Sequence, residues 1–468
     1  MTRRSALPRR ALLAGFPAIL RAQRRRPNIL LLLADNWAAP HASILGDPVV
    51  RTPAFDRIAN EGVLFTGACS PNPSCSPARS SILTGQETHR LEDAANLYGP
   101  LALRYPRYPQ TLEQAGYVCG YAGKAWGPGQ PPADSNGRRR NPVGDAFPDF
   151  GKFLAAKPAE KPFCFWFGSN DPHVPWTRGQ ERRSKLDAAK LKVPAHLPDW
   201  EVTRQDMLGY YAEVEEFDAD CGRILETLKS AGELDNTLVV VTSDNGWQMP
   251  RGLANCYTLG VRVPMAMRYP ERIAKGTVRE DFASLFDLAP TFLDAAGLPA
   301  PKGQSGASLF GPQRRKEIFL ERERHANVRK GDLGYPVRGV LNKRYLYLRN
   351  LEPERWPAGD PEHYWAVGPY GDIDDGPTKR RMMREKPQPH FDLCFGKRPP
   401  EELYDLATDP DQTKNLAAEA SAQKVKRDLS AKVTAHMKRS GDPRASGPTD
   451  FWDRVPYTGP KFGGAPID

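Results

Sequence analysis

The sequence predicts an α/β fold, a doubly wound and mostly parallel sheet flanked by helices, followed by a smaller C-terminal domain with an antiparallel sheet and a helix. Three observations predict it. Residues 28–34, 163–167 and 238–241 are short, continuous apolar runs that each end in polar residues, the pattern of parallel strands buried on both faces. Helical patterns lie between them, and strands alternating with helices build a doubly wound sheet. After about Pro312 the pattern changes to short strands at 317–320, 335–341 and 344–348, a loop-rich stretch 350–400 and a helix somewhere within 411–440. No internal repeat is present.

The N-terminal segment reads as an export signal. Residues 1–10 are rich in arginine and free of acids, 11–20 are apolar, and Arg21-Ala22-Gln23 resembles a cleavage region. Arg9-Arg10 ahead of the apolar run suits a twin-arginine route, with a general secretory route as the alternative. The apolar run is too short to span a bilayer, so a bacterial periplasmic or secreted protein without an integral membrane segment is expected. The segmentation is therefore a signal peptide at 1–23, a catalytic domain at 27–312 and a smaller α+β unit at 313–468.

The chain has 468 residues and a formal net charge of +10, with 40% hydrophobic and 9% aromatic residues, values of a folded globular protein. Losing residues 1–23 removes Arg3, Arg4, Arg9, Arg10 and Arg21 and no acid, halving the net charge, and no nucleic-acid partner is expected. The basic cluster Lys379, Arg380, Arg381 and Arg384 reads as a solvated loop. Seven cysteines show neither a Cys-x-x-Cys pair nor metal-finger spacing.

Within the first domain, Thr52 reads as the N-cap of a helix that opens with Pro53 and stops at Gly62. Residues 117–121 form a further strand ahead of Gly123-Lys124. The clearest helix covers 205–232, where Tyr210, Val214, Phe217, Cys221, Ile224, Leu225 and Leu228 fall on one stripe. Ligands of such sheets gather beyond the carboxyl ends of the strands, where Asp35, Asp171 and Asp244 fall.

The most informative stretch is Cys75-Ser76-Pro77-Ala78-Arg79-Ser80-Ser81-Ile82-Leu83-Thr84-Gly85. Pro77 presets the angle of a first helical turn and Gly85 suits the position just past a helix over 76–84. Cys75 then sits at a helix N-terminus, whose free amides favour a sulfate-sized anion, and Arg79 adds a two-pronged donor. A buried packing thiol is the plainer reading of Cys75 alone. Asp35-Asn36 and Asp244-Asn245, at equivalent strand ends, carry the oxygen ligands of a hard cation such as Ca²⁺, although each pair alone more often makes a turn. His173, in Asn170-Asp171-Pro172-His173, is a candidate proton donor, and Lys124 a candidate charge partner.

These motifs, with the Pro250 to Tyr257 context, resemble those of type I sulfatases of the alkaline-phosphatase superfamily, and more narrowly the branch that contains heparan N-sulfatase. The resemblance runs from Arg26-Pro27-Asn28 to Arg398-Pro399-Pro400-Glu401-Glu402-Leu403-Tyr404-Asp405-Leu406. It implies a Cys75 oxidised to formylglycine (3-oxoalanine) by a maturation enzyme, and calcium held by Asp35, Asn36, Asp244, Asn245 and residue 75. It further implies Arg79 and Lys124 as charge partners, His173 as acid, and hydrolysis of an O-sulfate ester or N-sulfate on a sulfated saccharide. Three departures stand out. Asn36 replaces a second Asp, Trp126 stands where many members have His, and Leu253 stands where the family usually has Lys or Arg, leaving Arg251 as the candidate to supply the missing charge. A phosphonate or phosphate monoester hydrolase and a catalytically impaired binder of sulfated glycans are the alternatives.

Overall fold

The computed structural model describes residues 25–362, 368–446 and 450–460, so the export signal read at 1–23 lies outside the described residues. Twelve strands occur there: β1 (Asn28–Ala34), β2 (Val63–Cys69), β3 (Val118–Gly123), β4 (Asp145–Ala146), β5 (Phe163–Gly168), β6 (Thr237–Ser243), β7 (Met265–Arg268), β8 (Thr277–Ser284), β9 (Glu317–Arg322), β10 (Val337–Asn342), β11 (Tyr345–Asn350) and β12 (Glu401–Asp405). The first eight form one sheet in the order β4-β3-β5-β1-β6-β7-β2-β8, in which only β7 runs against its neighbours. The last four form a separate antiparallel sheet, β12-β11-β10-β9.

β1 is central, and all seven of its residues are buried. Side chains alternate across a strand. Leu30 and Leu32 therefore enter the core on one face, with the stripe of helix Glu201–Ser230, while Ile29, Leu31 and Leu33 enter the other, with helices Cys75–Thr84 and Leu288–Ala295. Covering both faces is what makes a continuous apolar run a parallel strand.

Helix Pro53–Glu61 starts and stops where its Pro53 and Gly62 indicate, but Thr52 makes no cap bond to it. Asp218, on the long helix, accepts from the free amides of Ala54 and Phe55 at 2.9 and 2.8 Å and takes over that role. The stretch 350–400 differs from its sequence reading as a loop, since helices Pro377–Glu385 and His390–Phe395 occupy it. Few apolar residues mark them, but Met382 and Phe395 drop into the core under the large sheet, and Thr378 N–H donates to Asp206 Oδ2 at 2.8 Å. The basic cluster lies on the first of these helices. Arg380 and Arg384 are exposed and Arg381 is half-buried, beside Asp375 and Glu385, whereas Lys379 is buried and its Nζ donates to the carbonyls of Tyr370 and Ile373 at 3.1 and 2.6 Å.

Helix Gln423–Ser440 packs Leu429, Val433 and Met437 against Val340, Tyr347 and Leu403 of the small sheet. The opposite face of that sheet meets Tyr257, Val261 and Phe282 of the larger unit. Among the described residues no helix is long and apolar enough to cross a membrane.

Phe217 is fully buried and meets Trp37, which follows Asn36, edge-on at 5.7 Å. Phe217→Ala is expected to lower stability by about 3–5 kcal/mol, measured by urea denaturation, and a loss below about 1 kcal/mol would show that this contact does not anchor the Asn36 turn.

Candidate active site

Parallel register carries four strand ends to one level. Ala34 pairs with Ser243, Leu33 with Gly168 and Gly123 with Gly168, so Asp35-Asn36, Asp244-Asn245, Lys124 and the 169–175 loop all leave the same edge of the sheet. The close approach there needs glycine: a Cβ on Gly168 would lie 1.6 Å from the Lys124 carbonyl oxygen. Cys75 is the first residue of its helix, which ends at Gly85 in the left-handed conformation (φ 69°).

Asp35, Asn36, Cys75, Arg79, Asp244 and Asn245 are all buried. Cys75 Sγ lies 3.6 Å from Asp35 Oδ1, 3.9 Å from Asn36 Oδ1 and 3.8 Å from Asn245 Nδ2. One ligand atom from each of Asp35, Cys75 and Asp244 falls within 4.8 Å of the others. Arg79 ties the group together. Its Nε donates to Asp244 Oδ2 at 2.8 Å, its Nη2 to Asp35 Oδ1 at 3.4 Å, and its Nη1 to the carbonyls of Lys124 and Ala125 at 2.8 and 2.7 Å. Lys124 Nζ pairs with Asp35 Oδ2.

These contacts set the charges. Burial alone would raise the Asp35 carboxyl, but Lys124 and Arg79 hold it well below the usual carboxylate range. Burial pushes the Asp244 carboxyl up, with Arg79 opposing and Asp35 adding to the rise. Burial also pushes the Cys75 thiol well up, so the thiol is a poor source of thiolate.

The residues present fit a hard cation. Two carboxylates and two asparagine amides converge, and Asn245 Oδ1 is a buried acceptor with no partner. Because Arg79 and Lys124 already balance Asp35 and Asp244, a divalent ion added to this set leaves an excess of positive charge, suited to an anionic substrate. Asn36 adopts φ 73°, a left-handed conformation that Asn tolerates better than most residues. Tyr210 fixes it, since its hydroxyl accepts from Ala38 N–H at 2.9 Å and donates to Asn36 O at 3.2 Å.

His173 lies on the loop after β5 with its side chain 31% exposed. Its Nδ1 donates to Val174 O at 2.7 Å, which leaves Nε2 to face Asp374 Oδ2 at 3.7 Å. The neighbouring Asp171 is engaged by Arg178 and Ser169 instead. Trp126, which stands where many members of the resembled family have His, is buried and donates to Ser80 Oγ at 2.8 Å.

Arg251 departs from its reading as a substrate ligand. It is buried, stacks 3.9 Å from the Tyr257 ring centroid, and donates to the carbonyls of Leu393 (2.6 Å) and Gln412. Those bonds join it to the 390–412 region. Leu253 is 2% exposed and brings no donor.

Residues that the sequence did not single out also surround the centre. Ser74 Oγ meets His325 Nδ1 at 2.8 Å, and Tyr98 N–H donates to Ser76 Oγ at 3.1 Å. Burial lowers the His325 imidazole to about 4. His325 and Asp374 lie far from Cys75 in sequence with no shared motif, so only the folded chain reveals them, whereas Tyr210 was read from the sequence only as part of the apolar helical stripe.

The family description Sulfatase matches residues 27–137 and 139–298, more than half of the chain. The chain belongs to the sulfatase family. An ulvan-active sulfatase of Formosa agariphila is 26% identical over 472 residues, covering 89% of this chain and 76% of its own length. Human N-sulphoglucosamine sulphohydrolase is 27% identical over 444 residues, covering 85% and 87%. Among solved structures, one in complex with its substrate D-glucosamine-2-N,6-O-disulfate superposes with a TM-score of 0.64 at 21% identity, over 89% of this chain and 98% of its own. The phosphonate monoester hydrolase of Agrobacterium radiobacter does so with 0.66 at 19% identity, over 89% and 96%. Both structural likenesses establish the fold, which sulfatase and phosphonate hydrolase chemistry share.

Removing the Arg79 guanidinium leaves two carboxylates buried against each other. Arg79→Ala is expected to cost about 3–5 kcal/mol in metal-free protein, read as a lowered Tm in chelator. An unchanged Tm would mean that Asp35 and Asp244 are satisfied without it.

Proposed function

We propose that this sulfatase removes sulfate from a sulfated saccharide, as an O-sulfate ester or an N-sulfate, through a formylglycine made from Cys75. The carrying observation is the placement of Cys75 at a helix N-terminus, in contact with Asp35, Asn36 and Asn245, and beside Arg79 and Lys124. Relatives whose names specify ulvan and N-sulphoglucosamine support the substrate class.

Converted to formylglycine, residue 75 supplies a hydrated aldehyde, one hydroxyl of which attacks sulfur while the other later collapses to aldehyde and expels sulfate. Asp35, Asn36, Asp244, Asn245 and residue 75 would hold calcium, which offsets substrate charge and polarises a sulfate oxygen. Arg79 fixes the carboxylates on either side of the nucleophile. Lys124, 19% exposed and paired with Asp35, presents positive charge to the bound anion. His173 Nε2 gives a proton to the departing oxygen or nitrogen. A formylglycine-generating enzyme acting before or during export to the periplasm or medium completes this reading.

The phosphonate or phosphate monoester alternative is separated by turnover. Sulfate release from ulvan oligosaccharides and sulfated glucosamines is expected to exceed hydrolysis of aryl phosphonates and phosphates, and the reverse ranking would overturn the sulfatase substrate. Excess chelator is expected to abolish sulfate release and to lower Tm, because bound cation stabilises the folded state. Undiminished turnover with an unchanged Tm would exclude calcium from this site. His173→Ala is expected to slow sugar sulfates about 10²–10⁴-fold and 4-nitrophenyl sulfate far less, since protonation matters most for a basic leaving group. Equal losses on both would make His173 a binding residue only.

A further inference from the structure

We propose that Asp374 is a specificity-determining residue whose carboxylate accepts a hydrogen bond from a hydroxyl or amino group of the sugar beside the sulfate being removed. This rests on the reading of residue 75 as the nucleophile and His173 as the acid next to the leaving atom.

Asp374 comes from the loop between β11 and helix Pro377–Glu385, far in sequence from every motif of the large sheet. It reaches the same cleft. Its Oδ2 stands 3.7 Å from His173 Nε2, while the His173 Nδ1 edge is committed to Val174 O. The side chain keeps 19% of its surface open; Oδ2 itself is buried with no hydrogen bond and faces the His173 imidazole, which pairs with it when protonated. Tyr98, whose N–H donates to Ser76 Oγ, stands beside the start of the helix that carries Cys75.

An ionised carboxylate only accepts hydrogen bonds, and a buried acceptor left unmatched is costly. Apart from His173, the neighbouring cations bond elsewhere. Arg322 and Arg329 each donate to Asp372 Oδ2 at 2.6 Å, and Lys379 donates to two carbonyls. The wall beside His173 therefore offers an acceptor with negative charge, and the complementary ligand is a donor. A saccharide with a free hydroxyl or amine next to the scissile sulfate supplies one, whereas a second sulfate in that position meets like charge. A site built to bind a substrate hydroxyl also rejects the analogue that lacks it.

The test uses formylglycine-bearing enzyme with glucosamine 6-O-sulfate, N-sulfoglucosamine, their disulfated counterpart and 4-nitrophenyl sulfate, which has no sugar hydroxyls. In Asp374→Ala, the ratio of kcat/KM on the preferred monosulfated sugar to that on the aryl sulfate is expected to fall about 10- to 100-fold, mainly through KM. Asp374→Asn keeps an acceptor oxygen and removes the charge, so it is expected to retain most of that ratio while accepting the disulfated sugar about ten-fold better relative to the monosulfated one. A ratio unchanged in both variants, or an equal fall on sugar and aryl sulfates, overturns the proposal. If formylglycine-bearing wild type hydrolyses none of these esters, the hydrolase reading fails by itself. Calorimetric binding to Cys75→Ala then decides the Asp374 role: Asp374→Ala must weaken the glucosamine sulfates at least ten-fold relative to inorganic sulfate, or the assignment is wrong.

Discussion

The Arg79 guanidinium is the interaction on which the site depends. It is fully buried, and it spans Asp244 after β6, Asp35 after β1 and the carbonyls of residues 124 and 125 after β3. Only an always-charged, planar donor array can satisfy acceptors in so many directions. The same side chain fixes helix Cys75–Thr84 against the sheet edge, so the helix N-terminus and Cys75 cannot shift without breaking bonds to three strands. The position of Cys75, carboxylate charge and sheet register are thus set together.

Burial gives that arrangement its chemical character. Asp35 remains ionised because Lys124 and Arg79 outweigh its desolvation, whereas Asp244 is driven the other way by burial and by the like charge of Asp35. Asn245 Oδ1 without a partner marks the direction in which oxygen ligands remain unused. The small C-terminal sheet is more than a buttress, because its connections bring His325 and Asp374 to the cleft. The segment after helix Gln423–Ser440 then returns to the large unit: Trp452 Nε1 donates to Glu92 O at 2.9 Å and Thr458 Oγ1 to Tyr98 O at 2.8 Å, bracing the loop that carries Tyr98.

Much of this was legible in the sequence because the strongest signals are local. Continuous apolar runs gave β1, β5 and β6, a 3.6-residue stripe gave the long helix, and Pro53, Gly62 and Gly85 marked helix ends. Asp35, Asn36, Asp244 and Asn245 were visible as polar pairs just after buried strands, and parallel register brings them together. The failures are also physical. Helix Pro377–Glu385 anchors itself with single residues such as Thr378 and Met382, so no apolar period announces it. Arg251 was assigned toward the substrate from its place in the chain, but carbonyls and a tyrosine ring from distant segments claim its guanidinium. His325, Tyr98 and Asp374 come beside Ser74, Ser76 and His173 only through tertiary folding, which spacing along the chain does not encode.

The state of residue 75 tests the central claim most directly. Mass spectrometry of the tryptic peptide that contains position 75, from protein that turns over sulfate esters and was produced with a formylglycine-generating enzyme, is predicted to show the aldehyde or its hydrate in place of the thiol. Quantitative recovery of an unmodified Cys75 thiol from fully active protein would contradict the account.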